Sequence, residues 1–337
     1  MPTQSSTKTM RALLLESDNA PFTLKQIPRP EPSLGEVLVR VKASGVNPLD
    51  TKIRTGKGGH AKVTLPAVLG IDLAGVVEEV GSDVSAFKPG DEVYGMTGGI
   101  GGVQGSLAEF AAVDADLLAL KPTNLTMREA AALPLSFITA WEGLVDRANV
   151  HAGQKVLVHA GAGGVGHIAV QIARAFGADV YATVSSDKKA IVERFGATPI
   201  DYKTTSVEQY LDQHTNGEGF DIVYDTVGGA TLDASFEAVK VHTGHVVSVL
   251  GWGTHKLAPL SFRGATYSGV FTLLPLLTGK GRLHHGDILR KATEFAQAGQ
   301  LTPLLNPTRF TLETALAAHE AVESGTAPGK TVVDVDS

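Results

Sequence analysis

The 337-residue chain contains no cysteine. Disulfides, thiolate nucleophiles, iron–sulfur clusters and cysteine-ligated zinc are therefore excluded. No apolar run approaches the ~20 residues that a membrane helix needs. The opening MPTQSSTKTM lacks the apolar core of a signal peptide and reads as a polar tail. A cytoplasmic protein with no membrane partner is the expectation. The formal net charge of −6 argues against nucleic acid as a partner. There is no repeat at a fixed period and no low-complexity tract. What remains is a globular composition, 43% hydrophobic and 19% charged, long enough for two domains.

Residues 10–125 read as β-rich. Short apolar runs such as Arg11–Leu15, Glu36–Val41 and Ala74–Val80 alternate with proline and glycine punctuation, as in PRPEPSLGE and FKPGDEV. From about residue 130 the texture changes. MREAAALPLSFITAWEGLVDRA is helix-like, and apolar strands then follow at Val156–Val158, Val180–Val184, Ile222–Tyr224 and Val246–Leu250, separated by helical stretches. That alternation predicts right-handed crossovers and a doubly wound parallel sheet. The tail HEAVESGTAPGKTVVDV returns to a short strand, which either closes this sheet or rejoins the first domain.

The stretch HAGAGGVGHIAVQIARAFGADVYATVSSDKK (159–189) carries Gly161, Gly163, Gly164, Val165 and Gly166 directly after the first of those strands. Val165, Ile168, Ala169, Ile172, Ala173 and Phe176 then fall at helical spacing, and Gly177 stands where a left-handed cap ends a helix. Glycines at a strand-to-helix turn allow a pyrophosphate to approach the backbone, and the helix N-terminus offers its amides to it. Dinucleotide binding is the reading.

NAD-binding loops place an acid about 20 residues past the glycines, on the ribose hydroxyls. Here the second strand runs into Ser185, Ser186, Asp187, Lys188 and Lys189. Hydroxyls and an ammonium suit the 2′-phosphate of NADPH, which a carboxylate would repel. NADPH is the favoured cofactor, with NAD through Asp187 the alternative.

LPAVLGIDLAGVVEEVGSDVSAFKPGDEVYG (65–95), ASGVNPLDTKIRTG (43–56), GSLAEFAAV (105–113) and AGAGGVGHIAVQIA (160–173) together resemble the medium-chain dehydrogenase/reductases, and among them the zinc-free quinone oxidoreductases related to ζ-crystallin. The resemblance implies an α/β architecture: a discontinuous GroES-like domain over 1–130 and 276–337, and a Rossmann nucleotide-binding domain over 131–275. It also implies a homodimer, with Val270–Leu277 a plausible contact.

Alcohol dehydrogenases of this superfamily hold catalytic zinc through Cys, His and Cys. Asn47 and Ile71 stand in the first two of those places, and neither suits the metal. His284 and His285 are read as solvated, and no metal is expected. Without a Lewis acid an unactivated alcohol is hard to dehydrogenate, whereas a quinone or enone spreads the charge that hydride addition develops. By family position Asn47, Asp50 and Thr139 approach the nicotinamide and substrate. Asn47 offers its amide to the substrate oxygen; alternatively Asn47 and Asp50 only bond local backbone in a turn. Gly251 borders the nicotinamide, and Lys189 and Tyr202 resemble contacts to the 2′-phosphate. Lys52 and GKGGH (56–60) stand where quinone reductases often carry tyrosine. The expected activity is NADPH-dependent reduction of a quinone or α,β-unsaturated carbonyl. Alcohol oxidation and non-catalytic NADPH binding are the alternatives.

Overall fold

The computed structural model describes residues 8–325 and 327–335. The first seven residues of the expected polar tail lie outside them. The chain divides into two compact units. One comprises residues up to 135 with 273–298 and 303–337; the other comprises 136–272 with 299–302. The expected breaks at 130/131 and 275/276 differ from these by a few residues, and 299–302 joins the second unit.

The first unit is built from antiparallel sheets. Strand β1 (Thr9–Leu15) lies between β2 (Thr23–Pro28) and β4 (Ala67–Val68). A seven-stranded sheet is centred on β3 (Glu36–Val46) and β5 (Asp72–Val80). It extends through β6 (Glu92–Met96) to β8 (Leu118–Leu120), with β7 (Phe110–Asp114) paired to β3. The second strand of the C-terminal pair, β15 (Phe310–Thr311) and β16 (Thr331–Asp334), pairs antiparallel with β3, so the C-terminal strand rejoins the first domain. The register sets Thr331 opposite Val46, which brings the chain on either side of them into proximity. The helix Pro48–Arg54 starts directly after β3, with proline in its first turn where a missing N–H costs nothing.

The second unit is a six-stranded parallel sheet in the order β11-β10-β9-β12-β13-β14. These are Thr198–Asp201, Asp179–Val184, Lys155–Val158, Ile222–Asp225, His245–Ser248 and Thr266–Gly269 respectively. Its central strands are apolar on both faces: Val156, Leu157, Val158, Val223, Val246 and Val247 are fully buried. The predicted stripe forms the helix Gly166–Ala175, and Gly177 has the positive φ of +82° that its capping place requires.

The helix-like stretch 127–148 forms Met127–Ala131, Pro134–Trp141 and a π turn over Glu142–Arg147, with Pro134, which lacks an N–H, beginning the second helix. One expectation needs correction. His285 is buried, at 1% exposure, while His284 is exposed. On the helix Arg282–Gln297 adjacent residues point about 100° apart, so one of the pair turns inward.

Candidate active site

The glycine loop leaves β9 at His159. Ala160, at φ +53°, turns the chain in the left-handed region and donates its N–H to Thr183 Oγ1 at 3.1 Å. Gly161 N–H donates to the Thr183 carbonyl at 3.0 Å, and Gly163 N–H to the Ala160 carbonyl at 2.8 Å. The helix then starts, with His167 donating to Gly163 and Ala169 to Val165. The N–H groups of Gly164 and Val165 meet no acceptor among the described residues. A Cβ on Gly166 would stand 2.1 Å from the Ala160 carbonyl oxygen, so only glycine lets the helix start this close. Free amides at a helix N-terminus over a glycine floor fit a pyrophosphate.

Beneath the loop runs a polar row. Asp225 and Ser248 pair in register at the ends of β12 and β13, and His159, the residue after β9, lies 3.1 Å through Nδ1 from Thr183 Oγ1 of β10. Asp225, fully buried, accepts the N–H groups of Val227 and Gly228 at 3.0 Å and the Ser248 hydroxyl at 2.7 Å. Ser248 Oγ in turn accepts Leu250 N–H at 3.1 Å, and Thr226 donates to the His159 carbonyl at 2.7 Å. One row therefore fixes the loops leaving three adjacent strands, at the carboxyl edge where open α/β sheets bind ligands. Burial holds the His159 imidazole well below its ordinary pKa, against the opposing pull of Asp225. Gly251 follows this row and is exposed; a Cβ there would stand 2.1 Å from Tyr267 Oη, so the tyrosine accounts for the glycine. The Thr139 carbonyl accepts the Tyr224 hydroxyl at 2.9 Å, and its own hydroxyl accepts from Thr272 at 3.3 Å.

The end of β10 holds a surprise for the cofactor reading. No acid stands at the carboxyl end of the strand, but Asp201, from the end of β11, accepts the Ser186 hydroxyl and, at 3.0 Å, Lys203 N–H. Lys189 Nζ lies 4.0 Å from the same carboxylate and is 43% exposed. Ser186, Lys189 and Asp201 thus form one cluster, with Tyr202, 59% exposed, next in sequence. Ser185 precedes the short helical turn Ser186–Lys188 and bonds instead to Asp187, holding that carboxyl below its usual range.

In the other unit, Asn47 caps the helix Pro48–Arg54, and its N–H donates to Asp50 Oδ2 at 2.9 Å. That contact is local, as a turn would have it. The Asn47 side chain is not local. Its Nδ2 donates to Asp72 Oδ2 at 2.9 Å, and its Oδ1 accepts from Lys330 Nζ. Asp72 Oδ1 also accepts Leu135 N–H at 2.9 Å. Asn47, Asp50 and Asp72 are each at most 1% exposed and Lys330 is 5% exposed. Burial pushes Asp50 up to about 7, opposed by the Asn47 N–H and helped by the Asp72 charge. Burial likewise pushes Asp72 up to about 6, with Lys330 pulling it down, while Lys330 itself is lowered by burial against the pull of both acids. Asp50 Oδ1 has no hydrogen-bond partner among the described residues. At neutral pH this set can hold one proton beyond its ammonium.

Asp72 lies in the quoted motif but carries no local sign of its partners. Lys330, 283 residues from Asn47, gives none at all. Thr183, Asp201 and Ser248 were also missed; a polar residue closing each of several parallel strands is the signal that points to them.

Among the described residues no group of three or more His, Asp or Glu could hold a metal, and Ile71 is fully buried. A glycine-loop nucleotide domain and a GroES-like sheet domain in one chain define a nicotinamide-dependent oxidoreductase. The alcohol dehydrogenase GroES-like domain model matches residues 33–123, and the zinc-binding dehydrogenase model matches 195–333. An NADPH-dependent alkenal/one oxidoreductase, chloroplastic, from Arabidopsis thaliana is 37% identical over 90% of this chain and 73% of its own length. The human quinone oxidoreductase is 31% identical over 97% of this chain and 98% of its own. A solved alcohol dehydrogenase superfamily protein from Novosphingobium aromaticivorans superposes with a TM-score of 0.96 at 55% identity, covering 97% of this chain and all of that one. The chain belongs to the medium-chain dehydrogenase/reductases, in their quinone oxidoreductase branch.

Proposed function

We propose that the protein is a zinc-free reductase that uses NADPH to reduce a quinone or the alkene of an α,β-unsaturated carbonyl. The observation that carries this is the glycine loop with two unengaged amides, in a chain whose relatives are named as alkenal/one and quinone oxidoreductases. The bound nicotinamide supplies hydride. Gly161, Gly163, Gly164, Val165 and Gly166 receive the pyrophosphate, and Gly251 and Thr139 border the ring. Ser185, Ser186, Lys189 and Tyr202 favour the 2′-phosphate, with the Lys189 ammonium leaving Asp201 to meet it.

Asn47 donates its remaining Nδ2 hydrogen to the substrate oxygen, where charge develops as hydride arrives at the β-carbon. Asp50, raised to about 7 by burial, is partly protonated at neutral pH; the α-carbon is protonated from water. Asn47 and Ile71 in the zinc-ligand places support chemistry without the metal.

The edge strand β14, and the helix Ala258–Arg263 before it with Phe262 at 87% and its capping Leu257 at 55% exposure, support a homodimer. The deciding experiment is steady-state oxidation of NADPH and NADH with a small quinone and a short-chain enone. NADPH-preferring turnover of either acceptor is expected. Equal use of NADH overturns the 2′-phosphate assignment, and alcohol oxidation without acceptor reduction overturns the reaction.

A further inference from the structure

We propose that Lys330 is a positioning residue that, with Asp72, locks the Asn47 amide in the one orientation that presents an N–H to the substrate oxygen. This rests on the reading of Asn47 given above. The amide of an asparagine can flip, exchanging its oxygen and nitrogen. Here the two sides of the group are of opposite charge. The Lys330 ammonium donates to Oδ1, and the Asp72 carboxylate accepts from Nδ2 at 2.9 Å. Flipping would point Oδ1 at a carboxylate and two N–H groups at an ammonium, in a site buried from water, where each misplaced contact forfeits the full desolvation of its groups.

The backbone on both sides is pinned. Lys330 N–H donates to the Leu304 carbonyl at 2.7 Å, its carbonyl accepts Asn306 N–H at 2.9 Å, and the next residue is in register with Val46 beside Asn47. Asp72 is held by Leu135 N–H at its other oxygen. With Oδ1 and one Nδ2 hydrogen committed, the second Nδ2 hydrogen has no partner among the described residues. Withdrawal of electron density at Oδ1 by the ammonium makes that hydrogen a stronger donor. Burial lowers the Lys330 pKa, opposed by the charges of Asp72 and Asp50.

The test uses the full-length enzyme with NADPH and a short-chain enone. Asn47→Ala is expected to lower kcat about 100-fold, the scale of losing an oxyanion donor. Lys330→Met, which keeps length and removes charge, is expected to lower kcat tenfold or more with the KM for NADPH unchanged. The double variant is expected to be no slower than Asn47→Ala alone, since both remove one interaction. Unchanged kcat in Lys330→Met beside a crippled Asn47→Ala overturns the role of Lys330 and leaves that of Asn47. Losses that multiply in the double variant overturn it too. Wild-type turnover by Asn47→Ala overturns the reading of Asn47 itself. If Lys330→Met does not fold, the side-chain amide resonances of Asn47 in the wild-type protein decide: a shift of one Nδ2 proton on adding the enone, with the other unmoved, supports the lock, and no shift or equal shifts of both overturn it.

Discussion

Ser248 donates its hydroxyl to Asp225 Oδ2 at 2.7 Å, tying the end of β13 to the end of β12. Asp225 is fully buried and also takes the N–H groups of Val227 and Gly228. It is a keystone for the loops at the carboxyl edge rather than a cofactor ligand. Asp225→Ala leaves three donors unsatisfied, and a loss of about 3 kcal/mol in urea unfolding is expected. Ser248→Ala removes one hydroxyl, and about 1 kcal/mol is expected. The two losses are expected to fall short of additivity in the double variant, because they share one hydrogen bond. Strict additivity would show that the contact carries no weight.

Much of this architecture was legible in the sequence because it is written in local period. The strand Val156–Val158, the glycines and the stripe ending at Gly177 each follow from spacing, and each stands in place. The antiparallel domain was legible only as texture, since its registers join residues far apart. The candidate site divides the same way. The loop amides could be read from Gly164 and Val165, but Lys330 and Asp72 meet Asn47 through the pairing of β16, β3 and β5, which no local pattern encodes. Asp201 escaped because the acid was sought on β10 and comes from its neighbour.

Asp50 gives the cluster a pH signature. Its carboxyl is raised from the ordinary 3.8 to about 7, chiefly by burial, so the folded state binds its proton more tightly than the unfolded state does. The stability it contributes is complete below about pH 4 and is lost as pH rises through about 7. Asp50→Asn removes this titration while keeping an acceptor for Asn47 N–H. The difference in unfolding free energy, variant minus wild type, is therefore expected to grow between pH 5 and 8, by about 3 kcal/mol. A difference flat with pH would show that Asp50 is ionised throughout. Asp72→Asn is expected to destabilise at every pH, because one amide oxygen cannot accept from both Asn47 and Leu135 as the two carboxylate oxygens do.

On the NADPH reading proposed above, Lys189 and Asp201 set the preference between the two cofactors. The ammonium stands 4.0 Å from Asp201 Oδ2 and is 43% exposed, a screened and exchangeable pair. In Lys189→Ala the KM for NADPH is expected to rise about tenfold, the scale of one charge-assisted contact at an exposed site, with that for NADH unchanged. Asp201→Asn keeps an acceptor for the Lys203 N–H and removes the charge that opposes a phosphate. A lower KM for NADPH is expected there. Parallel changes for both cofactors in either variant would place the cluster away from the 2′-position.

Two glycines of the loop separate packing from cofactor contact. A Cβ on Gly166 meets the Ala160 carbonyl oxygen at 2.1 Å and Gly161 Cα at 3.0 Å, both backbone atoms of the loop itself. Gly166→Ala must move the helix off the strand, so about 2 kcal/mol of stability is expected to go with NADPH binding. A Cβ on Gly163 finds nothing nearer than the same oxygen at 3.1 Å, a contact that a shift of a few tenths of an ångström relieves. Gly163→Ala is therefore expected to unfold within about 0.5 kcal/mol of wild type, while the methyl group blocks the surface a pyrophosphate must approach. NADPH fluorescence titration beside urea unfolding measures both quantities. Affinity lost without stability in Gly163→Ala puts the pyrophosphate on this loop. Affinity kept there, with the fold intact, leaves the glycine as an ordinary residue of a tight turn and takes the cofactor elsewhere.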